Sequence, residues 1–335
     1  MKINVCSETE MLHIRSEGVH ISFIDCVELL KEKKDVEVCV NSEGIGDVMH
    51  SHTYGPYYFW RGLKYKGKRV HTVHVIPDST KGSLPGWKFL MPLTKWYFKK
   101  VFSYADVCIA ISPMVERAIK DLGAKTKIVR LSNPINIDKW KRTPRLRKKG
   151  RELLKLKEDD FCVLGVGQME NRKGCKDFIK IGQQIPDAQF RWVGGRPLGI
   201  FTEGIRKLNK SISGASSHIK FVGEFDHANM PSIYAAADLF LFPSYQENCP
   251  LAPIEAAASG MPVVYRNLPE YEMLYKNNYL KAENNEMFIT LAKKLMDDKE
   301  EYKRGLEISA KLITQFERNE IRKDLISLYS SMSAK

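Results

Sequence analysis

The chain of 335 residues lacks any run of eighteen apolar residues, so a membrane-spanning helix is not expected. It also lacks the charged-then-apolar layout of a signal peptide, because Met1-Lys2-Ile3-Asn4-Val5 reads directly as a strand. Its seven cysteines are scattered, odd in number and never spaced CxxC. That argues against a zinc site or a disulfide framework and for free thiols in a reducing cytoplasm. Repeats and low-complexity tracts are absent, as is the P-loop spacing GxxxxGK followed by Ser or Thr. What remains is 43% hydrophobic and 28% charged, an ordinary globular composition. The length allows two domains, each with its own core.

The net charge of +13 is unevenly spread. Residues 1–50 carry 5 Lys and Arg against 10 Asp and Glu, residues 51–150 carry 22 against 5, and residues 151–335 carry 26 against 25. A block of net +17 over one hundred residues calls for an anionic partner.

Short apolar runs alternate with longer amphipathic stretches, and the series occurs twice. Strands are expected near 3–7, 36–40, 47–50, 69–75, 107–111 and 127–131, then near 162–166, 190–193, 219–222, 239–242 and 262–265. Helical patterns lie between them, notably 21–31, 93–102, 113–122, 177–184, 230–236, 252–259, 285–296 and 299–316. Alternation of this kind predicts βαβ units and parallel sheets. The fold class is α/β, with two Rossmann-like domains facing across a cleft. The basic, Pro-containing stretch 133–150 has no strand pattern and marks the boundary.

Parallel sheets bind ligands at the carboxyl ends of their strands. After the run 239–242 comes Pro243 to Pro262, with Glu247 in a loop and Glu255 about one turn inside a small-residue helix. The N–H groups of Leu251 and Ala252 at that helix start suit a diphosphate. The two carboxylates can accept hydrogen bonds from vicinal hydroxyls, one set on a sugar and one on a ribose. A capped helix with two solvated glutamates fits the same residues. After the run 162–166 come Gly167, Gln168, Arg172, Lys173 and Gly174, a plausible phosphate clamp in which Lys173 supplies a point charge. A surface turn with two basic residues is the plainer reading.

Gly18 precedes a helix and would permit close approach of a phosphate. His50 and His52 follow one strand and His74 ends another. The His-x-His pair invites a metal, but no carboxylate or Cys accompanies it at recognisable spacing. Polar groups on cleft-facing strand ends are the preferred reading, and no metal ligand is assigned.

The Glu247-x7-Glu255 pair before a small-residue helix and Gly260-Met261-Pro262 resembles the donor signature of family-4 glycosyltransferases. Segment 165–174, Phe221-Val222-Gly223, the run from Ala237-Asp238 to Pro243-Ser244, Ala105-Asp106 through Ser112, and Asn133-Pro134 also match, each at its expected place in the chain. Together they cover most of it. The resemblance implies the GT-B fold and retaining hexosyl transfer from a nucleotide diphosphosugar, without a metal bound at a DxD motif and with no cofactor.

Roles then follow position by position. Glu255 would hold the donor ribose, Glu247 the hydroxyls of the transferred sugar, and Lys173 the leaving diphosphate, helped by the N–H groups of Leu251 and Ala252. Gly18 would let a loop close over the phosphates, and His74 matches the family histidine that contacts the donor sugar. The set Glu247, Glu255, Lys173 and His74 argues against a dead enzyme. Gln168 departs from the arginine of many relatives, with Arg172 as its expected substitute. Asn248-Cys249-Pro250 replaces a frequent Gly-Phe-Gly, and the short N-terminal half suggests a trimmed acceptor domain.

The basic block interleaves lysines with aromatics: Trp60, Lys64 and Lys66, then Trp87, Lys95, Trp96, Lys99 and Lys100. Such a surface suits a peripheral, monotopic contact with anionic lipid on the cytoplasmic side of the cell membrane. A core helix with a solvated side is the alternative. A nucleic-acid partner is not expected, since no recognised module accompanies the charge. Within the family the chain most resembles bacterial diglucosyl-diacylglycerol synthases. That implies UDP-glucose, with UDP-galactose as rival, as donor and a diacylglycerol glycolipid as acceptor. A transferase for a polyprenyl-linked or capsular saccharide would share the donor residues. A non-catalytic nucleotide-sugar or nucleic-acid binding protein is the reading from another class. The expected division is 1–140 for the acceptor and membrane domain and 141–312 for the nucleotide-sugar domain, with a helix in 313–335 packing back on the first.

Overall fold

The computed structural model describes residues 1–11, 18–42, 46–53, 55–80, 87–196, 205–276 and 278–333. It falls into two compact units. The first takes Met1–Gly82, Gly86–Ile135 and Phe316–Lys335, and the second takes Asn136–Gln315.

The first unit carries a six-stranded parallel sheet: β1 (Lys2–Cys6), β2 (Glu37–Val40), β3 (Val48–Ser51), β4 (Lys68–Val73), β5 (Val107–Ala110) and β6 (Lys127–Arg130). Their order is β2-β1-β3-β4-β5-β6. Central strands covered on both faces read as continuous apolar runs, as Val107-Cys108-Ile109-Ala110 does. The core gathers Ile3, Val5, Phe23, Val27, Val70 and Ile109. Leu325, Leu328, Tyr329 and Met332 of the C-terminal helix Arg318–Ser333 complete it. Strand order reverses between β1 and β3, so the carboxyl ends beside that point form the natural ligand crevice of this sheet.

The second unit carries β7 (Cys162–Val166), β8 (Gln189–Val193), β9 (Ile219–Gly223), β10 (Leu239–Phe242), β11 (Val263–Arg266) and β12 (Leu280–Ala282), again all parallel. Their order β12-β11-β10-β7-β8-β9 is the dinucleotide-fold order, with its switch between β7 and β10. Phe178, Phe190, Trp192, Leu239, Leu241 and Phe288 fill the core.

Several elements go beyond the sequence patterns. The stretch 133–150 contains the helix Ile137–Trp140 and most of the helix Pro144–Leu154, whose N-caps Asn136 and Thr143 accept from the N–H groups of Lys139 and Leu146. Here Arg142 and Arg147 converge on Asp238 at 3.9 and 2.9 Å, so part of the basic block is neutralised inside the second unit. The helix expected from Leu93 begins at Trp87 and runs through Pro92, which lies on its exposed side. Among the described residues no helix is long and apolar enough to cross a membrane.

Candidate active site

Two loops leave the switch point of the second sheet side by side. The loop after β7 ends in a short turn, Asn171–Lys173, and Gly174 takes φ +76 before the helix Cys175–Gln183. A side chain at Gly174 would be strained and would collide with the Pro243 carbonyl of the neighbouring loop. That close approach lets the Tyr245 N–H donate to the Arg172 carbonyl at 2.8 Å. It also brings the Lys173 ammonium to Glu247 Oε1 at 2.5 Å. The Ser244 hydroxyl donates to the same oxygen at 2.7 Å. Glu247 is 7% exposed and Lys173 is half-buried, so the pair is held on one side by protein.

Beneath the loop, Asp177 accepts from the Tyr245 hydroxyl at 2.8 Å, from Arg266 at 3.3 Å and from Asn285 at 3.0 Å. Arg266 also donates to the Pro243 carbonyl at 2.9 Å and covers the Tyr245 ring. No sequence pattern marks Asp177, Tyr245 or Arg266 as a group, because one lies on a helix, one in a loop and one on a strand. Arg172, expected to stand in for the arginine that Gln168 replaces, donates to Glu170 at 3.0 Å and to the Gln246 carbonyl at 3.3 Å, and its guanidinium lies 3.9 Å from Glu247 Oε2. Gln168 itself is half-buried in the turn.

Glu255 lies on the helix Leu251–Ala258, in its second turn, and is 8% exposed. The Tyr234 hydroxyl donates to Glu255 Oε2 at 2.7 Å. Burial, then the neighbouring Glu255 charge, pushes the Tyr234 phenol well above its usual range, so it stays a donor. The helix starts after Pro250 with Leu251, Ala252 and Pro253. Pro253 has no N–H, so Leu251 and Ala252 supply the donors of the first three helical positions.

The histidines belong to the first unit. His50 shares hydrogen bonds of 2.6 Å with the Tyr329 hydroxyl at Nδ1 and with the Thr72 hydroxyl at Nε2. His52 Nδ1 and His74 Nε2 lie 3.0 Å apart. Burial lowers the pKa of His74 and His50 to about 3, with smaller contributions from neighbouring histidines. It lowers that of His71 to about 4 and that of His52 well below its ordinary value. Cys26, not suspected from spacing, brings its sulfur within 4.8 Å of ligand atoms on His50 and His52. Both His50 nitrogens are already hydrogen-bonded, and burial pushes the Cys26 thiol up to about 12. The cluster therefore suits a packed polar core better than a metal, which needs a thiolate and bare nitrogens. Gly18 is the first, exposed residue of the helix Gly18–Lys31.

The first unit also carries the exposed basic and aromatic residues. On the helix Trp87–Tyr104, Phe98, Val101 and Phe102 face inward. Phe89, Leu93 and Trp96 form an outer stripe at helical spacing, 90%, 62% and 58% exposed. Lys95, Lys99 and Lys100 are exposed beside it. The helix Pro56–Leu63 repeats the pattern with Tyr57, Trp60 and Leu63, followed by exposed Lys64 and Lys66. Phe59 packs against Tyr104, joining the two helices. The side chain of Trp87 lies outside the described residues.

Comparison with known proteins agrees with this architecture. A model for glycosyl transferases group 1 matches residues 160–298, and one for glycosyltransferase family 4 matches residues 46–139. The alpha-galactosylglucosyldiacylglycerol synthase of Streptococcus pneumoniae is 31% identical over 288 residues, covering 83% of this chain and 76% of its own. The processive diacylglycerol alpha-glucosyltransferase of Acholeplasma laidlawii is 28% identical over 232 residues, covering 68% and 69%. In fold, the chain is similar to HepE of Anabaena, solved with UDP and glucose, at a TM-score of 0.80 and 18% identity, over 99% of this chain and all of that one.

Proposed function

The chain belongs to the family-4 retaining glycosyltransferases of GT-B fold, related to the diacylglycerol-glycosyl synthases, and on that premise we propose that it moves a hexose from a UDP-hexose onto a membrane glycolipid. The donor is UDP-glucose, with UDP-galactose the close rival, and the acceptor is a monoglucosyl-diacylglycerol, giving a dihexosyl diacylglycerol. The observation that carries the reading is the Lys173–Glu247 pair at the switch point of a dinucleotide-type sheet. The names of the two diacylglycerol relatives support the acceptor.

In this reading Glu255, steadied by Tyr234, grips the ribose. Glu247 grips the sugar hydroxyls, exchanging part of its contact with Ser244 and Lys173 for the substrate. The bond between the anomeric carbon and the diphosphate breaks as the acceptor oxygen bonds that carbon on the same face. The acceptor proton passes to the leaving phosphate oxygen, so configuration is retained. Lys173 and the N–H groups of Leu251 and Ala252 stabilise the charge that grows on the phosphate. His74 meets the donor sugar, and Gly18 gives the phosphates room. These groups supply the role of a divalent cation, so a chelator leaves turnover unchanged.

The exposed stripes of the two helices hold the enzyme peripherally on anionic lipid at the cytoplasmic face. The test offers radiolabelled UDP-glucose and UDP-galactose with monoglucosyl-diacylglycerol in vesicles of varied anionic content. Labelled dihexosyl lipid is expected from one donor, and no product from either overturns the glycolipid reading.

A further inference from the structure

The loop that carries Glu247 is fastened at a point away from the Lys173–Glu247 pair. β10 and β11 pair as far as Phe242 and Tyr265, so Pro243 and Arg266 come next in register. There the Arg266 Nε donates to the Pro243 carbonyl at 2.9 Å. The same guanidinium reaches Asp177 at 3.3 Å and lies 4.0 Å from the centre of the Tyr245 ring. The Tyr245 hydroxyl donates to Asp177 at 2.8 Å, and Asn285 donates to the other Asp177 oxygen at 3.0 Å. Tyr245 is 51% exposed, so burial does not fix it, whereas Asp177 and Arg266 are both buried.

The effect reaches the donor pair through the backbone. The Tyr245 N–H and the Ser244 hydroxyl donate to the Arg172 carbonyl at 2.8 and 3.1 Å, and Lys173 is the next residue. Glu247 follows Tyr245 by two residues. Both members of the pair are therefore placed from the segment that Arg266 holds. Among the described residues, neither Arg266 nor Asp177 forms a hydrogen bond or ion pair with Lys173 or Glu247.

Both Asp177 oxygens and the Arg266 guanidinium are engaged within the protein, which makes the cluster a brace and not a ligand site. A buried ion pair adds little net stability over apolar residues of equal volume, whereas a planar guanidinium fixes the direction of each group it meets. A lysine ammonium is a point charge and does not span the carbonyl, the carboxylate and the ring together.

We propose that Arg266 is a positioning residue for hexosyl transfer: by bracing Pro243 and Tyr245 against Asp177, it sets the spacing of Lys173 and Glu247. The proposal rests on the reading of Glu247 as the sugar contact and Lys173 as the diphosphate contact. Glu255 is held separately by Tyr234, so most of the grip on UDP survives a loosened loop.

The test compares R266K, the double variant R266M with D177N, and E247Q in the full chain. The double variant removes both buried charges together, so no lone charge is left inside the second unit. Carbon–proton NMR of the lysine Cε groups reports the pair, with Lys173 assigned as the signal missing in K173R. UDP titration is set beside transfer from UDP-glucose and UDP-galactose to vesicle-borne monoglucosyl-diacylglycerol. In R266K and the double variant the Lys173 signal is expected to move toward its place in E247Q. Their kcat is expected to fall by about tenfold or more, with UDP affinity held within about threefold. General destabilisation would lower UDP affinity together with kcat and leave the Lys173 signal of the folded protein in place. An unmoved Lys173 signal in both variants overturns the proposal whatever turnover shows, and wild-type kcat in both does the same. Full turnover in E247Q removes Glu247 from the reaction, and that result does not depend on Arg266.

Discussion

Tyr329 and His50 share a hydrogen bond of 2.6 Å across 279 residues of chain. The contact stitches the last helix into the first sheet, whose core Leu325, Leu328 and Met332 also enter. Replacing Tyr329 with Phe keeps the ring packing and leaves buried His50 Nδ1 with only the weak Cys26 Sγ contact at 3.9 Å. A buried polar group without its partner costs about 1–3 kcal/mol. Urea unfolding of Tyr329→Phe is expected to show that loss, and an unchanged midpoint and slope would mean the bond contributes nothing net.

The same burial makes stability depend on acid. His50 and His74 titrate at about 3 and His71 at about 4 in the folded chain, against an ordinary value of 6.5. Below pH 6.5 the unfolded chain takes up protons that the folded chain refuses. Stability is therefore level above about pH 7 and falls as pH drops from roughly 6.5 toward 4, each such histidine contributing a slope of about 1.4 kcal/mol per pH unit within that window. Denaturant melts at about pH 7.5, 6.5 and 5.5, spanning the onset of that window, check this. Equal stability throughout would show that the histidines are not held neutral.

Much of this was legible in the residues, and what was not has a physical cause. Apolar runs such as Leu239–Phe242 announce buried parallel strands, and Glu247 and Lys173 follow their strands as expected. That the two side chains meet depends on β7 and β10 being neighbours, which strand order decides and no local pattern encodes. Tyr234 sits in Met230–Ala236, where every residue from Pro231 onward is buried, so nothing marks one side chain there as the partner of Glu255. The helix Pro56–Leu63 packs four aromatics into consecutive positions, which hides its period.

Tyr234→Phe tests the support given to Glu255. It removes one donor from a carboxylate that the proposed function assigns to the ribose, while leaving Lys173 and Glu247 untouched. UDP affinity is expected to fall roughly tenfold, the worth of one hydrogen bond to a charged group, with kcat nearly retained at saturating donor. Calorimetric titration of UDP measures it, and equal affinities would separate Tyr234 from donor binding.

Gly174→Ala tests whether the two loops must touch. Alanine is strained at φ +76 and meets the Pro243 carbonyl, so the loops must part and carry Lys173 away from Glu247. Transfer is expected to fall by at least roughly tenfold, with a lower melting temperature, whereas alanine at half-buried Lys176 should do neither. Wild-type transfer by Gly174→Ala would show that the close approach is dispensable.

Charge and apolar surface on the helix Trp87–Tyr104 are separable. Lysines near an anionic bilayer attract it over about a Debye length, while Phe89, Leu93 and Trp96 act only once inserted. Replacing Lys95, Lys99 and Lys100 with Ser should cut partitioning onto anionic vesicles by about a hundredfold, at roughly 1 kcal/mol for each lysine. Replacing Phe89, Leu93 and Trp96 with Ser should leave the initial, salt-sensitive attraction and abolish binding that survives high salt. Vesicle sedimentation at low and high salt distinguishes the two variants, with UDP titration confirming that the second unit is intact. Unchanged sedimentation of both would mean that the stripe is ordinary solvated surface and would overturn the proposed docking on anionic lipid.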